Sequence, residues 1–135
     1  MKVINLTPHS VDVVNETDFL NLDQINPTVW VADGLREGAW VTSYPSEGVA
    51  RISTSTEVIE VPGLPGICVV TKYGDASGIP EGVEETDILV VSLPMQSMAT
   101  ITYHPLAHQM AVPYKVVRLR SNTNQILGCM GFTFQ

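Results

Sequence analysis

From Ala50 the chain alternates with a period of two. Ala50, Ile52, Thr54, Thr56 and Val58 fall on one face, and Arg51, Ser53, Ser55 and Glu57 on the other. Only an extended strand puts every second side chain on the same side, so the pattern predicts a strand over 49–59. Shorter β-type runs surround it. KVINL and VDVVN, split by Thr7, Pro8 and Ser10, predict an N-terminal hairpin with strands over 2–6 and 11–15. GICVVTKY and TDILVVSL are dense apolar runs that predict strands over 67–73 and 87–93. The second reads as a central strand buried on both faces. YKVVRLR and ILGCMGFTF predict a closing hairpin over 114–120 and 126–134, with Asn122–Gln125 as its turn.

Two segments depart from this pattern. Residues 16–47 hold apolar pairs without a helical period, and Pro27 and Pro45 stop helices. TVWVAD and AWVTSY flank the polar DGLREG and predict a second hairpin, with Trp30 and Trp40 facing each other across it. Aromatic side chains of this size are foremost core or interface anchors. In PMQSMATITYHPLAHQM, Pro94 suits the start of a helix and Thr100, Ile101 and Thr102 keep that helix short. The fold class that follows is mostly β: a compact antiparallel sandwich or barrel-like sheet with little helix, one domain over 1–135.

Composition bounds the function. A chain of 135 residues buries about two-thirds of its unfolded surface. Its 44% hydrophobic and 16% charged residues are those of a globular domain. No apolar run approaches the roughly 20 residues of a membrane span, and MKVINLTPHS lacks the apolar stretch of a signal peptide. Cys68 and Cys129 then read as reduced thiols in a cytoplasmic protein. A net charge of −7 disfavours nucleic-acid binding, which needs a basic surface, but leaves room for a small phosphate-bearing ligand. Positive mean hydropathy, two tryptophans and the Met-rich segment predict a homo-oligomer.

No catalytic signature is present. Ser92 and Cys129 stand in no GxSxG or Cys/His pattern, and there is neither a P-loop nor GxGxxG. His104 and His108 have metal-ligand spacing, but no third or fourth ligand lies near them in sequence, so they read as loop histidines. No cofactor is implied. The remaining polar groups sit on β elements. Arg118 and Arg120 share one strand face, and Arg51 opens the alternating strand. Lys72 and Tyr73 enter the stretch TKYGDASGIPEG, where Gly74 and Gly78 permit a close backbone approach or positive φ.

About a dozen residues there is long for a connector, so residues 71–82 are predicted to face a ligand. Arg51 with Arg118 or Arg120 would supply charge, Tyr73 a stacking ring and His9 a donor. An Ω-type loop packed by Ile79 and Pro80 is the alternative.

In order along the chain stand NLTPHSVDVVN, SEGVARISTSTEV, VTKYGDASGIP, DILVVSLP and NQILGCMGF. The series resembles a small family of uncharacterised proteins of bacteria and their phages. Its members carry NLTPH, GxVAR, a YG…GLP stretch, a VVS strand and a closing G.iiGC.G hairpin. The resemblance covers about half of the chain. Residues 16–44 read as an insertion against that pattern, and 95–113 lack the family's usual run. The family implies no activity, only a compact cytoplasmic accessory protein encoded by a phage or its host. Phages encode small proteins that sequester the cyclic-nucleotide signals of host defence. A non-enzymatic sponge for a nucleotide-like ligand is therefore the first expectation. A structural or interaction protein, such as a virion or regulatory component, is the second, and a hydrolase with an unfamiliar site the third.

Overall fold

The computed structural model describes residues 1–135. Its elements are β1 (Val3–Asn5), β2 (Val11–Val14), β3 (Phe19–Leu20), β4 (Asp23–Asn26), β5 (Val29–Ala32), β6 (Gly34–Leu35), β7 (Val41–Tyr44), β8 (Arg51–Ile59), β9 (Cys68–Ser77), β10 (Ile88–Val90), α1 (Leu93–Ile101), β11 (Met110–Leu119) and β12 (Asn122–Phe134). Six strands follow one another around a nearly closed barrel, in the order β1, β10, β11, β12, β2, β7. The seam between β7 and β1 narrows where Asn5 bridges to Ser46 and the Glu47 N–H donates to the Asn5 carbonyl at 2.8 Å. The barrel-like sheet with little helix expected from the alternation is present. β11–β12 and β2–β7 are antiparallel, whereas β1–β10, β10–β11 and β12–β2 are parallel. No helix is long and apolar enough to cross a membrane.

β10 sits between two parallel neighbours, and Leu89, Val90 and Val91 are fully buried. Alternation divides them. Leu89 and Val91 pack with Met95 and Ala99 of α1, while Val90 packs with Val11 and Cys129. The helix starts as its sequence predicts: Ser92 Oγ accepts from the Met95 N–H at 3.3 Å, and Pro94 occupies the first turn. Buried Gln96 ties it to the sheet by donating to the carbonyls of Met110 and Thr133, at 3.2 and 3.1 Å.

Three expected connections are different. β1 and β2 do not form a hairpin, because β1 pairs with β10 and β2 with β7 and β12. Residues 6–10 instead turn a corner around the Asn5 side chain. Nor do TVWVAD and AWVTSY pair. β5 lies between β4 and β11, and β7 serves the barrel beside β2. Trp30 is half-buried under Lys115, whose Nζ is 4.6 Å from the ring centre, and Trp40 is 80% exposed. The last hairpin reverses at Arg120–Ser121, not at Asn122–Gln125. The register jumps from Arg118↔Ile126 to Leu119↔Asn122, so those turn-forming residues are absorbed as a bulge within β12.

Asp87 fixes the entry to β10. Its buried carboxylate accepts from the Glu84 N–H at 3.0 Å and the Lys2 N–H at 2.9 Å. The Glu84 bond foremost, then the Lys2 bond and charge, hold this carboxyl below its ordinary range, against the opposing effect of burial. A depressed folded pKa contributes stability above the unfolded value near 4 and loses it as pH falls through the folded value. Urea midpoints measured at about pH 5 and about pH 2.5 are therefore expected to drop more steeply in wild type than in Asp87→Asn. Equal slopes in the two proteins would remove Asp87 from the acid response.

β8 and β9 leave the barrel together as a two-stranded ribbon. Ile52 is buried at its root, but every residue from Ser53 to Ile67 is exposed, as is every residue from Val69 to Asp75.

Candidate functional site

β2 and β12 touch at one ladder pair, Val13 with Cys129. Gly128 permits this contact, since a Cβ there would stand 2.8 Å from Val14 Cγ2 and 3.1 Å from the Asp12 carbonyl oxygen. Beside the pinch a cavity of about 540 Å³ opens, lined by His9 and Ser10 of the corner, by Asp12 of β2 and by Asn124 and Ile126 of β12. Val91, Ser92 and Val116 complete it. A second cavity of about 350 Å³ lies between the Leu6–Pro8 corner, Ala50, Arg51 and Met95. Thr7 and Ser92 line both, so the two spaces adjoin at the start of α1. The combined space is of small-molecule size.

The corner is held from inside by Asn5, which is fully buried. Its Nδ2 donates to the carbonyls of His9 and Tyr44, both at 2.8 Å, and its Oδ1 accepts from the Thr7 N–H and Oγ1 at 3.0 and 2.7 Å. All four of its hydrogen-bonding positions are used, so the backbone from Thr7 to His9 is fixed at the cavity rim. The first turn of α1 has no acidic side chain of its own, and the carboxylate that shares the cavity with Ser92 is Asp12 of β2. Cys129 at the pinch is not a ready nucleophile. Burial, with a smaller push from the Asp12 carboxylate, raises its pKa and keeps the thiol protonated.

The eight residues expected at one site fall into three places. His9 lines the larger cavity and Arg51 the smaller, and Thr7 and Ser92 line both. Lys72, Tyr73 and Gly74 lie out along the ribbon, paired with or beside Ser55, Thr54 and Ser53, and Lys72 forms a salt bridge with Glu57. Residues 71–77 are strand, so TKYGDASGIPEG is a loop only from Gly78 onward. Gly78 has φ +79° and presses on Val49, a structural role within the ribbon's root.

Arg118 and Arg120 lie elsewhere. Arg118 donates to the Thr123 carbonyl at 3.0 Å. Arg120 donates through Nε to Asp33 at 2.8 Å and through Nη2 to Asp23 at 2.9 Å and the Asn21 carbonyl at 2.6 Å. Two carboxylates neutralise it, and its bonds fasten the 16–44 segment to the end of β11. Asp33 in turn is held below the usual carboxyl range by Asn21 and then by Arg120.

Ser10, Asp12, Thr7 and Asn124 were not read from the sequence as site residues. Ser92 had a signal, because Ser-Leu-Pro directly after a buried strand is a cap followed by a first-turn proline. His104 lies past the end of α1 with its Nδ1 accepting from the Leu106 N–H at 3.1 Å, and no group of three His, Cys, Asp or Glu is placed to hold a metal. Comparisons with family models, curated proteins and solved structures return no match to this chain.

Proposed function

We propose that this protein binds a small, phosphate-bearing, nucleotide-like molecule where the two cavities adjoin, and holds it without turnover. One observation carries the reading: the fold brings His9 and Arg51, distant in sequence, to spaces that share Thr7 and Ser92. An arginine fork, an imidazole and hydroxyl groups are suited to phosphate oxygens and ribose, and the apolar walls from Val116 and Ile126 suit a base. In a phage or bacterial cytoplasm such a binder would sequester a nucleotide signal of host defence.

Isothermal calorimetry with ADP-ribose and cyclic dinucleotides tests it. Arg51→Ala is expected to weaken binding by about 10- to 100-fold, the worth of a charged hydrogen bond of roughly 1.5–3 kcal/mol. Tyr73→Ala, up the ribbon, leaves it unchanged. Silence across the nucleotide panel, or equal affinity in Arg51→Ala, overturns the proposal.

The ribbon favours a second reading, an interaction or structural protein. A two-stranded ribbon is marginal in water on its own, yet this one extends over β8 and β9 with both faces exposed.

A further inference from the structure

The cross-strand register of the ribbon sorts its side chains into two unlike faces. Directly opposed residues in an antiparallel pair lie on the same side of the sheet. The pairs Thr54↔Tyr73, Thr56↔Thr71 and Val58↔Val69 therefore share one face. Ser55↔Lys72, Glu57↔Val70 and Ile59↔Cys68 share the other, which carries the Lys72–Glu57 salt bridge. The first face has no charge. It consists of β-branched and aromatic residues, the types that pack best on a pleated surface, and all six are exposed.

Exposure is substantial: 69% for Val58, 51% for Val69 and 40% for Tyr73. The turn beyond exposes three more large apolar side chains, Val61, Leu64 and Ile67, the last 83% exposed. Contiguous apolar surface of this kind marks a contact site in a soluble protein.

We infer that this charge-free face packs against the same face of a second copy, ribbon on ribbon about a two-fold axis. The inference rests on the second reading above and names its partner. Chemistry selects the partner. A net charge of −7 makes two barrels repel, so contact between copies belongs on an uncharged element that stands away from them. A face without charges needs no complementary charge opposite it and is its own complement, as a two-fold contact requires.

Size agrees. Six exposed apolar side chains of this face and its turn, Val58, Val61, Leu64, Ile67, Val69 and Tyr73, supply roughly 360 Å² per copy at about 60 Å² each. With the three threonines of the face the contact reaches roughly 500 Å² per copy, about 1,000 Å² over both copies, the lower bound of a specific interface. Stacked ribbons would sit about 10 Å apart, as packed sheets do.

Sedimentation equilibrium tests this on the full chain. Wild type is expected at twice 14.7 kDa at micromolar concentration. Val69→Glu, which sets carboxylates against each other at the two-fold, should raise the dissociation constant by at least 100-fold. Val70→Glu, one residue along and on the opposite face, should raise it less than 5-fold. Because a charge substitution can disturb folding, Thr56→Cys in a Cys68→Ser background gives a second measure, an inter-copy disulfide under mild oxidation. A wild type that stays monomeric to about 100 μM overturns the second copy as partner. A dimer that survives Val69→Glu and forms no Thr56→Cys cross-link overturns the ribbon as its contact, while a dimer elsewhere on the molecule still serves the interaction reading. Equal loss in Val69→Glu and Val70→Glu overturns the choice of face.

Discussion

Asn5→Ala is expected to lose about 3–4 kcal/mol of stability, read as a shift of the urea midpoint. The side chain is fully buried, donates to two carbonyls and accepts from two Thr7 groups. Removing it leaves the carbonyls of His9 and Tyr44 and the Thr7 N–H without those partners. Each stranded buried group costs roughly 1–3 kcal/mol, and water reaching the exposed His9 side offsets a part. The loss is large against the 5–15 kcal/mol that a domain of this kind has in total.

The position is structural in a particular way. Asn5 stands on β1 where that strand meets the chain just after β7, so the same side chain holds the corner at residues 7–9 and the barrel seam. Asn5→Asp should cost at least as much, because it turns a donor into a carboxylate oxygen facing two carbonyls. Both variants should also weaken any ligand that uses Thr7 and His9. A midpoint within error of wild type for Asn5→Ala would show that the seam closes without it.

The strands were legible because alternation is a local signal, and their partners were not. Nothing in residues 3–5 indicates that they pair in parallel with 88–90, across more than eighty residues. The split of VINL and VDVVN by a turn-like TPHS suggested a hairpin, but the turn chemistry there serves Asn5 instead. Gly74 and Asp75 likewise looked like the start of a loop. They sit opposite the irregularity between Ile52 and Thr54, where the two strands keep pairing through a register shift. The 16–44 segment resisted reading for another reason. Its strands are two to four residues long, and Arg120 holds it through Asp33 and Asp23 from 87 and 97 residues away. Separation along the chain also hid the candidate site. His9 and Arg51 could be picked as polar residues, but only the corner around Asn5 and the start of α1 place them beside two cavities that share Thr7 and Ser92. Lys72, Arg118 and Arg120 share their residue types without sharing that location.

Gly78→Ala is expected to be as damaging as the loss of Asn5, and for a reason that separates two things a glycine does. Gly78 has φ +79°, and an added Cβ would lie 1.9 Å from the Val49 carbonyl oxygen and 2.8 Å from its carbon. Both are backbone atoms and have no rotamer to yield, so the chain after β9 must lift off residues 49–50. Ile79, which packs against the cluster of Leu6, Ala50 and Ile52, then moves with it. Gly82 isolates the backbone term: its φ is +76°, but nothing lies within 4 Å of a Cβ there. Gly82→Ala should therefore cost only the left-handed conformation, about 1–2 kcal/mol. Gly74→Ala isolates a side-chain clash, 2.2 Å from Ser53 Oγ, which can rotate into solvent, so about 1 kcal/mol or less is expected. Gly78→Ala combines the left-handed cost with a backbone overlap and should exceed Gly82→Ala by at least about 2 kcal/mol, overpacking against an immovable neighbour being costlier than strain alone. Urea midpoints of the three variants measure the order directly. Equal losses at Gly78 and Gly82 would mean that the close approach to Val49 contributes nothing beyond the turn itself, and that the ribbon's root tolerates a gap that the packing of Ile79 denies.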